Sequence, residues 1–354
     1  MNSESRKFLY KLLATPSPTG FEQPIQRVVR ERMKGWAAEI ETDVHGNLAV
    51  GLNTKAQRKV MLAGHCDQIG FMVRHITEEG YLYLSPLGGP DPVVLPGTHV
   101  SVHAKDGPLE GVIGRKPVHK QKPDERGQGK VNVDDVWIDI GARNRKEAVK
   151  LVEIGDPVTF RLGVTELRND LVCSPGLDDK AGLFVVMEAL RLCANARLDV
   201  ALYAVSTVQE EVGLRGAITS AFGIAPDVGV AVDVTFATDN PGNDDKKEAP
   251  CVLGKGPTIA RGPNTNPIVG KRLIEAAKKA RLPYQLAPSS RIAGNDAAAI
   301  QISRSGVAAS AIGIPNRYMH TQVEVCSLKD LENAARLLAA FVKDIGARTS
   351  FKPL

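Results

Sequence analysis

Four apolar runs in this 354-residue chain are each followed, within a few positions, by a histidine or a carboxylate. The runs cover residues 60–64, 201–208, 228–232 and 307–314. Short continuous apolar runs bounded by turn signals are typical of strands that are buried on both faces of a parallel sheet. In open α/β sheets the ligand crevice lies outside the carboxyl ends of the strands. We therefore expect the polar residues after these runs to gather at one edge of a sheet.

The α/β pattern is interrupted between about residues 73 and 163. Here short β runs alternate with turn signals such as Asp106-Gly107, which favours a hairpin. Helices are predicted over 3–15 and 23–33, and helices and strands alternate again from residue 171. We predict an α/β fold with a mainly parallel-sheet domain (1–72 and 164–354) and an inserted small all-β domain (73–163). Within the insert, 116–132 is predicted to be a polar surface loop or a loop that reaches a neighbouring subunit.

Composition excludes several classes of function. The chain is 43% hydrophobic and 24% charged with a net charge of +5, which is ordinary for a globular protein. It has no basic cluster interleaved with aromatic residues, so nucleic acid is not an expected partner. No apolar stretch approaches the roughly 20 residues that span a bilayer, and residues 1–12 do not form a signal peptide. The five widely spaced cysteines indicate a reduced, cytoplasmic protein rather than a disulfide framework.

The residues at the predicted strand ends and helix starts are of metal-ligand type. Two imidazoles combined with carboxylates suit Zn²⁺, Co²⁺ or Mn²⁺ better than Ca²⁺ or an iron–sulfur centre. The chain has neither a phosphate-binding loop of the Walker type nor a Gly-x-Ser-x-Gly elbow, so a serine hydrolase is not supported. The pattern predicts a metallohydrolase with two metal ions, and the candidate ligands are His65, Asp178, Glu211, Asp233 and His320.

Each candidate ligand also has a simpler interpretation. A single histidine such as His65 or His320 is commonly a polar residue without a metal. Asp178 can cap a helix, and Asp233 can form an Asx-turn. Five such coincidences at successive strand ends are a poor explanation of the pattern, and so the metal interpretation is preferred.

Two further carboxylates stand beside the candidate ligands. Asp67 can accept the second ring N–H of a metal-bound His65 and so fix its tautomer. Glu210 and Glu211 are adjacent acids after a buried strand and would repel each other without a nearby cation. Adjacent residues of an extended chain point to opposite sides, so one can bind metal while the other faces a water molecule.

Several segments together resemble the tetrahedral aminopeptidase family, which includes glutamyl aminopeptidases and members labelled cellulases or endoglucanases. Residues 92–97 and 111–117 are similar to the inserted β domain of that family. The resemblance covers most of the chain, and the signature segments are 63–73 (AGHCDQIGFMV), 177–182 (LDDKAG), 209–213 (QEEVG) and 317–321 (RYMHT).

The resemblance implies a catalytic domain of the co-catalytic zinc-exopeptidase type with a barrel-like or PDZ-like insert used for dimerisation. It implies two divalent ions per subunit, Zn²⁺ or Co²⁺ with Mn²⁺ as a further option, and dimers that assemble into dodecamers. By motif, Asp178 would bridge the ions, and the Asp178–Asp179 peptide would be cis. The implied first set is His65, Asp178 and Asp233, and the second is Asp178, Glu211 and His320.

The implied activity is removal of N-terminal residues from peptide substrates. A water that bridges the two metals would be the nucleophile, Glu210 the general base, and Asp67 the residue that orients His65. Gln68 and Asn295 depart from the family pattern, so the preferred substrate side chain stays open. The alternatives are a metal-dependent carboxypeptidase or acyl-amino-acid deacylase, a cellulase, and a binding or scaffold protein without activity.

Overall fold

The computed structural model of the chain describes residues 1–121, 131–243, 248–291 and 294–353. These residues form one large sheet covered by helices and a second, smaller sheet that closes into a barrel. Within the same ranges, no helix is long and apolar enough to cross a membrane.

The helices and strands are numbered in chain order. The helices are α1 (Ser3–Leu13), α2 (Gln23–Met33), α3 (Arg145–Leu151), α4 (Leu177–Cys193), α5 (Arg215–Ile224), α6 (Pro267–Lys279), α7 (Asp296–Gln301) and α8 (Leu328–Lys343). The strands are β1 (Glu39–Thr42), β2 (Leu48–Leu52), β3 (Lys59–His65), β4 (Gly70–Ile76), β5 (Leu82–Leu87), β6 (His99–Ala104), β7 (Gly107–Arg115), β8 (Val136–Asp139), β9 (Pro157–Phe160), β10 (Thr165–Leu167), β11 (Leu171–Cys173), β12 (Ala201–Thr207), β13 (Val228–Phe236), β14 (Thr258–Arg261), β15 (Gln285–Pro288), β16 (Ala308–Arg317) and β17 (Val325–Ser327).

The large sheet is mixed rather than mainly parallel. Its central strands, in the order β12-β3-β13-β16, are parallel to one another. These are the four apolar runs of the sequence. The flanking strands β1 and β2 on one side and β17, β11 and β10 on the other are antiparallel, and they are only three to five residues long. Such short edge strands can be joined by tight turns, which a parallel crossover does not allow.

Two apolar layers cover the central strands. One face packs against α1, α2, α4, α6 and α8 and holds most of the large aliphatic side chains. The other face packs against α5 and α7 and is dominated by alanines. Burial on both faces explains why the central strands are continuously apolar instead of alternating.

A contact between two glycines brings the start of α4 close to the end of β3. A Cβ atom on Gly64 would lie 2.6 Å from the carbonyl carbon of Gly182, so no larger residue fits there. Asp178 and Asp179 stand at the start of α4 but have non-helical backbone angles, and the peptide bond between them is cis. The close approach therefore places two carboxylates beside His65.

The barrel contains six strands in the order β4-β5-β8-β7-β6-β9 and has its own apolar core. The predicted hairpin at Asp106-Gly107 is confirmed, since β6 and β7 pair with Ala104 opposite Gly107. β4 begins at Gly70, five residues after His65, and β5 ends at Leu87. This connectivity brings the segment after β5 back to the large sheet. Most of the loop predicted over 116–132 lies outside the described residues.

Candidate metal centre

The five predicted ligand residues meet at the carboxyl end of the central strands. His65 is the last residue of β3, and Asp233 lies near the end of β13. Glu211 follows β12, and Asp178 stands at the start of α4. His320 is in the loop after β16. The strand-end pattern of the sequence therefore corresponds to one cluster in space.

The first group of ligand atoms surrounds His65. Its Nε2 lies 3.2 Å from Oδ1 of Asp178 and 3.8 Å from Oδ1 of Asp233. Ligand atoms from these three residues all lie within 4.8 Å of one another. His65 is buried, with 2% of its surface exposed, so solvent has little access to this group.

The second group surrounds His320 and shares Asp178 with the first. His320 Nε2 lies 3.2 Å from Oδ2 of Asp178 and 3.9 Å from Oε2 of Glu211. Ligand atoms from these three residues also lie within 4.8 Å of one another. Asp178 thus presents one oxygen to each histidine, which is the arrangement that a bridging carboxylate requires.

The donor set fits two divalent ions. Ligand atoms about 2.0–2.2 Å from a shared tetrahedral Zn²⁺ lie about 3.3–3.6 Å from one another, close to the observed spacing. Oε1 of Glu211 is buried and has no hydrogen-bond partner among the described residues. A buried carboxylate oxygen without a partner is unfavourable unless a cation or a water satisfies it.

Backbone carbonyls select the tautomer of both histidines. His65 donates its Nδ1–H to the carbonyl oxygen of Asp67 at 3.0 Å, and His320 donates its Nδ1–H to that of Gly89 at 3.0 Å. A carbonyl only accepts, so in the neutral form of each ring the Nε2 atom carries the lone pair and faces the carboxylates. Gly89 follows β5 of the barrel, so the barrel contributes directly to this site.

The Asp67 carboxylate has a wider set of contacts than the sequence predicted. Its Oδ1 lies 3.4 Å from His65 Nδ1, farther away than the backbone oxygen. The carboxylate accepts the backbone N–H of Glu210 at 3.0 Å and of Glu211 at 3.3 Å, and the hydroxyl of Thr19 at 2.9 Å. Asp67 is therefore a fully buried link between the two acidic neighbours and the end of β3.

Glu210 lies near Nε2 of His65, whereas Asp67 lies near Nδ1 of the same ring. Its Oε2 lies 3.8 Å from His65 Nε2, and the residue is 9% exposed. Asp296, at the start of α7, is buried close by and accepts a hydrogen bond from the Thr207 hydroxyl at 2.6 Å. The adjacent glutamates thus face different histidines, Glu210 the first and Glu211 the second.

The electrostatics of the cluster indicate an excess of buried negative charge. Burial, together with the nearby charge of Asp178, raises the pKa of Glu211 to about 8. Burial and Asp179 raise the pKa of Asp233 well above its usual range. The hydrogen bond with Asp178 raises the pKa of His320 to about 9. All three shifts have the direction expected where carboxylates crowd together without enough positive charge.

Two site residues were missed by the sequence reasoning or given another role there. Asp179 was expected only as the second residue of the cis Asp178–Asp179 peptide, but its Oδ2 accepts the backbone N–H of His65 at 3.2 Å. Glu324 was not singled out, although its carboxylate accepts the backbone N–H groups of Asp178 and His320, both at 3.0 Å. The available signal for Glu324 was its position just before the apolar segment that forms β17.

A cavity of about 170 Å³ opens beside Asp233. Its walls come from β13, β14 and β16 and from the start of α7. Small and polar side chains dominate the lining, for example Thr235, Ala260, Ala297 and Ala311. The cavity adjoins the first ligand group through Asp233 itself.

Comparison with known proteins identifies a family. The family model for M42 glutamyl aminopeptidase matches residues 46–337. A lysyl aminopeptidase of Pyrococcus furiosus is 38% identical over 341 residues, which cover 96% of this chain and 97% of the relative.

Solved structures show the same similarity. The TET aminopeptidase from the marine sediment archaeon Thaumarchaeota archaeon SCGC AB-539-E09 has 35% identity and a TM-score of 0.93, with 98% of each chain covered. The TET1 peptidase of Pyrococcus horikoshii has 30% identity and a TM-score of 0.86, covering 96% of this chain and 100% of the other. That peptidase is described as able to assemble into a tetrahedron or a large octahedral shell.

Proposed function

The chain belongs to the M42 glutamyl aminopeptidase family, and from that premise we propose that it removes N-terminal residues from peptides with two divalent metal ions. The shared position of Asp178 carries the proposal. One oxygen of this buried carboxylate lies 3.2 Å from each histidine Nε2, at the junction of two three-residue groups. A single-metal site does not require such a bridge, whereas a two-metal site does.

The proposed ligands are divided between the two groups described above. His65 and Asp233 would hold one ion, Glu211 and His320 the other, and Asp178 both. Zn²⁺ and Co²⁺ suit this mixture of imidazole and carboxylate ligands, and Mn²⁺ is also compatible. When bound, the ions would polarise the scissile carbonyl and lower the pKa of the attacking water.

Glu210 is the proposed general base. Its backbone is held by Asp67, which accepts the Glu210 N–H at 3.0 Å. The side chain faces the cluster but belongs to neither three-residue group. A carboxylate held at the edge of a ligand cluster can take a proton from the attacking water and later pass it to the leaving amine. A general base of this kind contributes about 10²–10⁴-fold to the rate.

The cavity beside Asp233 is the proposed space for the side chain of the substrate's first residue. Its position next to the first ligand group would place the scissile bond near Glu210. The small side chains of the lining, such as Ala260 and Ala311, leave room for a side chain rather than for backbone alone. The nature of the preferred side chain is left to experiment.

A pair of adjacent substitutions tests these roles. Glu210→Gln should retain two metal ions per subunit and lose about 10²–10⁴-fold in kcat, because only the proton acceptor is removed. Glu211→Gln serves as the matched comparison, since it makes the same chemical change one residue away in a proposed ligand. It should lower the metal content measured by elemental analysis. A Glu210→Gln variant with wild-type kcat would refute the assignment.

We also propose that the chain forms a homo-oligomer. The support is its similarity over nearly its whole length to the Pyrococcus horikoshii peptidase, which can assemble into a tetrahedron or a large octahedral shell. Light scattering at micromolar concentration should give a mass several times that of the subunit. A monomer under these conditions would refute this part of the proposal.

A further inference from the structure

Glu324 connects two proposed ligand residues that are far apart in the chain. It is completely buried and lies at the entrance to β17. Its Oε2 accepts the backbone N–H of Asp178, and its Oε1 accepts that of His320, each at 3.0 Å. One carboxylate therefore spans the peptide units of the shared ligand and of a ligand of the second group.

Both peptide units need an external acceptor. Asp178 has φ −78° and ψ 107°, so its N–H is not part of a regular helix. His320 has φ +64°, a left-handed conformation that costs a non-glycine residue roughly 1–2 kcal/mol. Tyr318, two residues earlier, also has a positive φ of +61°. A loop in this conformation persists where surrounding contacts hold it, and Glu324 supplies one of them.

The backbone around Glu324 is itself fixed by the sheet. The carbonyl of Glu324 accepts the N–H of Ser174 at 3.0 Å. The next residue, Val325, donates its N–H to the side chain of Asn316 at 3.1 Å and pairs with Arg317 across β16 and β17. The carboxylate thus projects toward the two ligand residues from the start of a strand that is hydrogen-bonded on both sides, to β16 and to β11.

We infer that Glu324 is a positioning residue that sets the spacing between Asp178 and His320, and so the affinity of the second ligand group for its ion. It contacts two of the three proposed ligands of that group, but only Asp178 of the first group. Its loss should therefore weaken the ion at Glu211 and His320 more than the ion at His65 and Asp233. The inference rests on the proposed two-metal function.

Glu324→Gln is the appropriate test, because it preserves size and removes one of the two acceptor oxygens. The amide nitrogen that replaces one oxygen would face a backbone N–H, so one of the two hydrogen bonds is lost. Partners that orient metal ligands typically change metal affinity by about 10- to 100-fold when they are mutated. We expect a loss of that size for one of two Zn²⁺ ions, measured by chelator competition on metal-stripped protein.

Asp330→Asn is the matched control. Asp330 is also completely buried, and its carboxylate accepts two backbone N–H groups, those of Gly254 and Gly256. None of these partners belongs to the ligand groups. The control should lower the free energy of unfolding while both Zn²⁺ affinities stay at the wild-type values. Glu324→Asp, which keeps the charge but is shorter, provides a second variant should the glutamine variant not fold.

The outcomes separate the inference from the function it rests on. Suppose that the wild type binds two ions and that Glu324→Gln binds both with unchanged affinity. The inference is then wrong and the two-metal function stands. Glu324→Asp is read in the same way if the glutamine variant does not fold. An equal weakening of both ions, or the same weakening in Asp330→Asn, would also overturn it. A wild-type protein that binds fewer than two ions would refute both.

Discussion

Gly88 offers a way to move one proposed ligand from the barrel side of the site. It follows β5 and has φ +72°, a left-handed conformation. A Cβ atom at this position would lie 2.8 Å from Oε2 of Glu211 and 2.9 Å from Cγ2 of Ile69. The substitution Gly88→Ala therefore combines backbone strain with pressure on a carboxylate of the second ligand group.

The two effects have different sizes and different readouts. The left-handed backbone should lower the free energy of unfolding by roughly 1–2 kcal/mol. To reach an ordinary contact distance of 3.4 Å from the new Cβ, the Glu211 oxygen must retreat by 0.6 Å (3.4 minus 2.8). Metal–ligand distances tolerate deviations of only about 0.2 Å. We therefore expect the second metal to be lost or weakened by at least about tenfold, and kcat to fall with it.

Gly97→Ala isolates the backbone effect. Gly97 has φ +87° in the same barrel, and nothing lies within 4 Å of a Cβ placed there. In urea unfolding of the metal-free protein, Gly97→Ala should show the backbone loss alone, and Gly88→Ala should lose at least as much because its Cβ also contacts Ile69. Only Gly88→Ala should lose metal affinity and the rate of hydrolysis of an aminoacyl amide. Equal activity in the two variants would refute the packing of Gly88 against Glu211.

Two further predictions concern stability away from the ligands. Burial lowers the pKa of His103 from 6.5 to about 4, so the unfolded chain takes up this proton first as the pH falls. The free energy of unfolding should therefore decrease between about pH 6.5 and about pH 4, and His103→Gln should show a smaller decrease in urea unfolding over that range; an unchanged pH dependence would contradict this. Arg317 donates from Nε and Nη2 to the two Asp239 oxygens at 2.9 and 2.7 Å. Arg317→Lys can keep only one of these bonds and should lower the free energy of unfolding by about 1 kcal/mol. In a chain that already carries Asp239→Asn, adding Arg317→Lys should cause no further loss.

The central strands were predictable because burial on both faces leaves a continuous apolar run in the sequence. The cluster of ligand-type residues was predictable for a related reason. A polar residue that ends such a run stands out, and parallel strands bring their carboxyl ends together. His65 and Asp233 are examples of this pattern: His65 ends β3, and Asp233 ends the apolar run of the parallel neighbour β13, although the strand itself continues to Phe236.

The edges of the sheet were not predictable in the same way. β10, β11 and β17 are three residues long, and β14 and β15 are four, too short to show a period of two. The antiparallel pairing of β10, β11 and β17, and of β14 with β16, made the sheet mixed where a mainly parallel one was expected. Contacts made by backbone atoms also leave no signal in the sequence. The hydrogen bond from His320 Nδ1 to the Gly89 carbonyl oxygen is an example. Glu324 was missed because its only local signal, a position just before the three-residue strand β17, is one that a surface glutamate can share.

The most direct test of the account is a metal titration of the stripped protein during hydrolysis of aminoacyl amides. Each substrate is offered with a free amine and, as the control, with the amine acetylated. Two divalent ions per subunit should restore the activity, and only the free-amine substrates should be cleaved. Activity that is unchanged by metal removal, or faster cleavage of the acetylated substrates, would contradict a two-metal aminopeptidase.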